Sequence, residues 1–140
     1  MGMGIARIRA MAQPREPAIV VADDEEDIRT LLRDLLTPHG YRILEARTGW
    51  ELLETVQAER PALIILDLRM PGIDGLRAAE EIRKCPHVRD VPVVVLSAAA
   101  EAHTPRLHEL GIRRILSKPF SCVDVLEAVQ AAMQPRRRLN

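Results

Sequence analysis

The chain has 140 residues, twenty of them Lys or Arg and twenty Asp or Glu, and 47% are hydrophobic. That is enough for one domain with a proper core and too little for two. Zero formal net charge gives no general electrostatic drive toward DNA or an anionic membrane, and Tyr41, Trp50 and Phe120 are the only rings available to stack on bases or a flavin.

Residues 1 to 16 read as a flexible tail without usable periodicity. The opening MGMGIARIRAMA lacks the long apolar centre of a secretory signal, and Ala6 stands where myristoylation wants Ser or Thr. AIVVA, Ala18 to Ala22, is a short apolar run rich in β-branched residues and predicts a buried strand. Ile28, Leu31, Leu32, Leu35 and Leu36 then recur at helical steps, with acids crowding the helix start and Pro38 and Gly40 stopping it. YRILEA, Tyr41 to Ala46, predicts a second strand, nearer an edge. Trp50, Leu52, Leu53 and Val56 support a second helix ending before Pro61, with Trp50 expected in the core or half-buried. LIIL is a third strand, and Leu76, Ala79 and Ile82 mark a helix beginning near Asp74. VPVVVLSA, Val91 to Ala98, is a fourth strand. TPRLHELG predicts a short helix with Thr104 as its cap and Pro105 in its first turn. RRILSKP carries a brief fifth strand, and Ser121 caps a last helix with Val125, Leu126 and Val129 on its apolar side. Residues 135 to 140 form a basic tail.

No apolar run approaches the roughly 20 residues that span a bilayer. Cys85 and Cys122 are far apart and fit no metal spacing, so two reduced, inert thiols in a cytoplasmic protein are expected. The four histidines, His39, His87, His103 and His108, are scattered and predict surface positions.

Unbroken apolar strands separated by helices, five times over, predict an α/β fold: a flavodoxin-like (βα)5 doubly wound parallel sheet occupying residues 17 to 134. In such sheets ligands bind beyond the carboxyl ends of the strands. The first strand ends in Asp23 and Asp24, the third in Asp67, the fourth in Ser97 and the fifth in Lys118. Two like charges about 4 Å apart repel by roughly 4 kcal/mol at an effective dielectric of about 20, so three carboxylates on one rim call for a cation. Oxygen ligands without His or Cys select Mg²⁺ or Mn²⁺. A metal, a lysine and a hydroxyl around one Asp make a cradle for a phosphoryl group, with Asp67 as the nucleophile. No phosphate-binding GxxxxGK[ST] loop, GxGxxG fingerprint or GxSxG elbow is present, and Arg69 stands where a haloacid-dehalogenase-like phosphatase wants a second Asp.

VVADDEEDIR, LIILDLRMPGIDGL, VPVVVLSA and LSKPF occur in this order and spacing. With them the chain resembles the receiver domain of bacterial two-component response regulators, of the stand-alone, chemotaxis-regulator-like kind. The resemblance covers about residues 17 to 134. It implies the strand order 2-1-3-4-5 and phosphorylation of Asp67 by a sensor histidine kinase or histidine phosphotransfer protein. It implies Mg²⁺ held by Asp23, Asp24, Asp67 and the backbone carbonyl of Arg69. Lys118 and Ser97 would contact the phosphoryl group, and a cis peptide bond would precede Pro119. Such a chain is not an enzyme on outside substrates; it promotes only its own phosphorylation and dephosphorylation. A downstream protein target or a homodimer would read the modified state, with no direct nucleic acid and no membrane insertion.

Three positions depart from the family pattern. Ile115 stands where receivers commonly carry the Tyr or Phe of the switch. Gly111-Ile112 replaces a frequent Gly-Ala, and Pro105 shortens or kinks the fourth helix. Two alternatives share the same fold: a pseudo-receiver that binds proteins without phosphorylation, and an excised receiver of a larger transcriptional regulator.

Overall fold

Short runs of β-branched and aliphatic residues become parallel strands here because helices bury both of their faces. The computed structural model describes residues 16–98 and 100–134. The two predicted tails lie outside these residues, Glu16 excepted. The elements in chain order are β1 (Ala18–Ala22), α1 (Glu26–Leu36), β2 (Arg42–Ala46), α2 (Gly49–Ala58), β3 (Leu63–Leu66), α3 (Gly75–Lys84), β4 (Val93–Leu96), α4 (Thr104–Glu109), β5 (Arg114–Leu116) and α5 (Cys122–Met133). Every strand pair is parallel and the order is β2-β1-β3-β4-β5. The sheet is the predicted one, with β2 at an edge.

Alternation along the strands divides the core in two. Val20, Ala22, Ile64, Leu66 and Val95 face a layer built by Leu52 and Val56 of α2, Ala79 and Ile82 of α3 and Leu107 of α4. Ile19, Val21, Leu63, Ile65 and Leu96 face Leu32 and Leu36 of α1 and Val125 and Val129 of α5.

Three helices start on side-chain caps, of which Ser121 is the predicted one and Asp74 marks the predicted start of its helix. Thr48 accepts from the Glu51 amide at 3.0 Å, Asp74 from Arg77 at 2.8 Å and Ser121 from Asp124 at 3.0 Å. The cap predicted at Thr104 is not formed. Thr104 is already helical, and its hydroxyl donates to the Ala100 carbonyl at 3.2 Å, because a 3-10 turn over Ala100–His103 leads into α4. With Pro105 in its first turn, α4 is only six residues long.

Two side chains depart from the predicted core. Trp50 is 61% exposed and Leu31 41% exposed. The inward stripe of α2 is filled by Gly49, Leu52 and Val56, at steps of three and four residues, which turns Trp50 outward onto Gly72. On α1 the phase that points Leu32 and Leu36 inward carries Leu31 to the rim and brings Arg29 in.

Arg29 is buried, and its guanidinium donates to the Asp23 carbonyl at 2.9 Å and to Glu45 Oε1 at 2.9 Å. It ties α1 to the end of β1 and to β2. Arg33 also grips Glu45, and its hydrogen bond, with that of Arg29, holds the Glu45 carboxyl below its ordinary pKa although partial burial opposes this. Charge-assisted hydrogen bonds are worth about 1.5–3 kcal/mol each. Arg29→Met is therefore expected to cost about 2 kcal/mol, read as a lower urea midpoint at unchanged slope. A midpoint within error of wild type would show that Arg29 anchors nothing.

Candidate functional site

The ladder hydrogen bonds continue one residue past three of the strands. The Asp23 amide donates to Ala46 at 3.0 Å, the Asp67 amide to Ala22 at 2.9 Å and the Ser97 amide to Leu116 at 3.0 Å. Each polar residue thus sits on backbone as rigid as the sheet. Asp23, Asp67 and Ser97 are 2%, 5% and 1% exposed, and with Arg29 they are the buried polar side chains among the described residues.

Lys118 joins them from the loop after β5, where the Lys118–Pro119 peptide is cis. Its ammonium lies 2.8 Å from Asp23 Oδ2, 3.3 Å from Asp67 Oδ2 and 3.6 Å from Glu25 Oε1. Burial pulls the lysine pKa down. The hydrogen bond to Asp23, with the charges of Asp23 and Asp67, outweighs this and leaves it raised. Asp23 is raised too. Desolvation is the leading cause and the neighbouring Asp67 charge adds to it, while Lys118 and the Glu25 amide, which donates to Oδ1 at 2.9 Å, only partly compensate. The second Asp67 oxygen accepts from the Arg69 amide at 3.2 Å.

A carboxylate buried against its own preference is the kind of group a divalent cation relieves. Oxygens of Asp23, Asp24 and Glu25 all lie within 4.8 Å of one another. Hard oxygen donors at that spacing fit Mg²⁺ or Mn²⁺. Asp24 is exposed, so the cluster opens to solvent along a cleft of about 580 Å³ lined by Asp24, Leu68, Arg69, Asp74 and His103 among others.

The sign of the Asp23 shift makes a prediction. A raised folded-state pKa means stability present below the ordinary carboxylate value and lost as pH rises through the folded value. At neutral pH the metal-free chain carries that cost. Asp23→Asn is expected to melt higher than wild type in EDTA and to gain less from added Mg²⁺. A lower melting temperature in EDTA would contradict the assigned cause.

The structure brings together Asp23, Asp67 and Lys118 directly and puts Asp24 beside them. Ser97 is buried at the adjoining strand end. Ile115 is half-buried and packs on the layer that holds Ala100, Leu107 and Ile112. Two neighbours were missed. Glu25 was read only as a helix-start acid, yet its carboxylate and amide both face the site. His103, expected on the surface like the other three histidines, is half-buried and lines the cleft. Only the fold of the Ala100–His103 turn puts it there, so the sequence offered no signal. Cys85 is half-buried, Cys122 is exposed, and neither is paired.

The family model for the response regulator receiver domain matches residues 19–130. The transcriptional regulatory protein PdtaR of Mycobacterium tuberculosis is 36% identical over 131 residues, covering 92% of this chain; the chain spans only 62% of the length of that curated relative. The non-phosphorylated receiver domain of HemR from Leptospira biflexa superposes with a TM-score of 0.79 at 29% identity, covering 89% of this chain and 99% of that one. The response regulator TrrA from Thermotoga maritima, solved with Mg(2+)-BeF, gives 0.73 at 34% identity, covering 83% and 98%. Receiver domains are signalling modules that meet histidine kinases or phosphotransfer proteins, and their acidic pocket binds Mg²⁺. With the sheet order, the rim of acids and the opposed lysine all in place, this chain belongs to the response regulator receiver domain family.

Proposed function

We propose that residues 17 to 134 form a phosphorylatable receiver in which Asp67 accepts a phosphoryl group from a sensor histidine kinase or histidine phosphotransfer protein. The observation that carries this is one carboxylate, 5% exposed, fixed by the sheet and touched by a lysine ammonium beside a cluster of oxygen donors. An Asp67 oxygen attacks phosphorus, the P–N bond of the donor phosphohistidine breaks, and an acyl phosphate forms. The departing imidazole takes up a proton. Lys118 offsets charge on the equatorial oxygens. Ser97, buried on the adjoining strand, donates its hydroxyl to the same group. Asp23, Asp24, Asp67 and the Arg69 carbonyl would hold Mg²⁺ or Mn²⁺, with Glu25 beside them, and the ion would supply positive charge to offset the carboxylates and the phosphoryl oxygens. The similar TrrA was solved in complex with Mg(2+)-BeF, which supports a divalent cation in a receiver of this kind. The reading puts the protein in the cytoplasm. Among the described residues no helix is long and apolar enough to cross a membrane.

The added group carries roughly two negative charges and shifts an equilibrium between conformations, to be read by a protein target or a second copy. With Ile115 in place of a ring, the readout runs through the loop after Ser97 instead of an inward aromatic swing.

The test is intact mass after incubation with Mg²⁺ and acetyl phosphate, wild type against Asp67→Asn, with beryllofluoride binding alongside. A phosphoryl adduct in the wild type that the variant lacks is expected. No adduct, no beryllofluoride binding and no Mg²⁺ affinity would leave the pseudo-receiver reading in its place.

A further inference from the structure

At the opposite end of the sheet, where β4 and β5 begin and α3, α4 and α5 end, lies a groove of about 840 Å³. Four arginines line it, Arg83, Arg89, Arg113 and Arg114, against two acids, Asp90 and Glu109. Glu109 is answered by Arg106 at 3.7 Å. Arg83 builds the wall: its guanidinium donates to the carbonyls of Leu110 at 2.8 Å, Arg89 at 2.9 Å and Val91 at 2.9 Å. That arrangement fixes a cation with no carboxylate in salt-bridge range, and burial lowers its pKa while Asp90 partly restores it. Arg89, Arg113 and Arg114 are exposed, and none of their side chains has a hydrogen bond or ion pair among the described residues. Most other arginines of the fold are engaged by acids or carbonyls, as Arg29, Arg33, Arg42, Arg77 and Arg106 are. Unpaired cations gathered in one concavity are therefore a local feature of this groove.

The lining between the arginines is partly apolar: Pro92, Leu110 and Ala132 are half-buried there. No aromatic side chain lines the groove, so bases would find nothing to stack on. The two acids would repel an unbroken row of phosphates. A concave surface of this size does not suit a flat lipid headgroup layer. Planar guanidinium forks suit carboxylates two oxygens at a time.

We propose that this groove docks an acidic, partly apolar peptide segment of a partner protein, its carboxylates on Arg89, Arg113 and Arg114 and its aliphatic side chains on Pro92, Leu110 and Ala132. The site lies at the far end of the strands from Asp67 and does not depend on phosphorylation. A partner can hold the receiver here while its phosphoryl rim stays open to a donor.

The experiment is fluorescence anisotropy with the full chain and a short labelled peptide of Glu, Asp and Leu, beside a labelled single-stranded oligonucleotide. Three proteins are compared: wild type, Arg113→Glu with Arg114→Glu, and a variant with Arg136, Arg137 and Arg138 all changed to Ala. Beryllofluoride binding to each reports an intact fold at the opposite rim. The expected result is salt-sensitive peptide binding by wild type, weakened about tenfold or more by the double charge reversal and kept by the tail variant. The proposal is overturned if wild type does not bind the peptide, if the charge reversal leaves binding unchanged, if binding is lost with the tail arginines alone, or if the oligonucleotide binds more tightly than the peptide.

Discussion

Gly75→Ala is expected to destabilise the chain by about 3 kcal/mol and to abolish stable phosphorylation at Asp67 together. A Cβ at residue 75 would lie 2.1 Å from the Asp67 carbonyl oxygen, 2.7 Å from Leu68 Cα and 2.9 Å from the Asp67 carbonyl carbon. All three are backbone atoms, so no rotamer change relieves the clash. The Gly75 amide donates to the Leu68 carbonyl at 2.9 Å, which holds the start of α3 against the very segment that carries the proposed phosphoacceptor. Either α3 retreats and loses the packing of Ala78, Ala79 and Ile82, or the Asp67 loop moves. A displacement of about 1 Å at a reacting group can cost about a hundredfold in rate. Gly40→Ala is the control. Gly40 has φ of +89° and nothing within 4 Å of its added Cβ, so it should cost only about 1–2 kcal/mol of left-handed strain and leave the adduct unchanged. Urea denaturation and intact mass of both variants measure the contrast. Equal stability of Gly75→Ala and Gly40→Ala would remove the argument from close approach.

The second large effect is at Lys118. Its ammonium is shared by two buried carboxylates, Asp23 and Asp67. Lys118→Met keeps much of the side-chain volume and deletes the charge. Adduct formation from acetyl phosphate at saturating Mg²⁺ is expected to slow by about 10²–10³, the usual cost of one preorganised electrostatic contact. Lys118→Arg should not restore the rate, because a planar guanidinium cannot place a single compact charge between both carboxylates. The raised lysine pKa gives a pH signature as well. Its stabilising contribution is complete below the ordinary lysine value of 10.5 and disappears as pH rises through the higher folded value. Wild type should lose stability in that alkaline range, and Lys118→Met should not share the loss. Adduct formation at the wild-type rate in Lys118→Met would show that the lysine contributes no catalytic charge.

The proposed Mg²⁺ set shows where local sequence stops being informative. Asp23, Asp24 and Asp67 each follow an apolar run, so a rim of carboxylates could be read from strand ends alone. Glu25 could not. Two acids, Glu26 and Asp27, follow it in the first turn of α1, and a helix start accounts for all three through the macrodipole. Only the Asp23 side chain bending back to the Glu25 amide, and Lys118 arriving from 93 residues further on, single out Glu25 from Glu26 and Asp27.

The sequence by itself determined the alternation of five strands and five helices, the parallel sheet and the rim on which the acids and the lysine meet. The physical reason is periodicity: an unbroken β-branched run is stable only between two apolar layers, and a polar residue ending it must lie at the sheet's edge. The Ser121 cap and the helix start at Asp74 were legible for the same local reason, since a cap needs only its own side chain and an amide three residues on. Tertiary structure alone decided what depends on the phase of one element against another. Helix α2 turned its tryptophan outward because Leu52 and Val56 took the inward face. The turn before α4 took the cap from Thr104 and carried His103 into the cleft. Three helix ends and two strand starts converged on Arg83, Arg89, Arg113 and Arg114. Charges spread from Arg83 to Arg114 read as solvated surface until the packing of those ends gathers them into one groove.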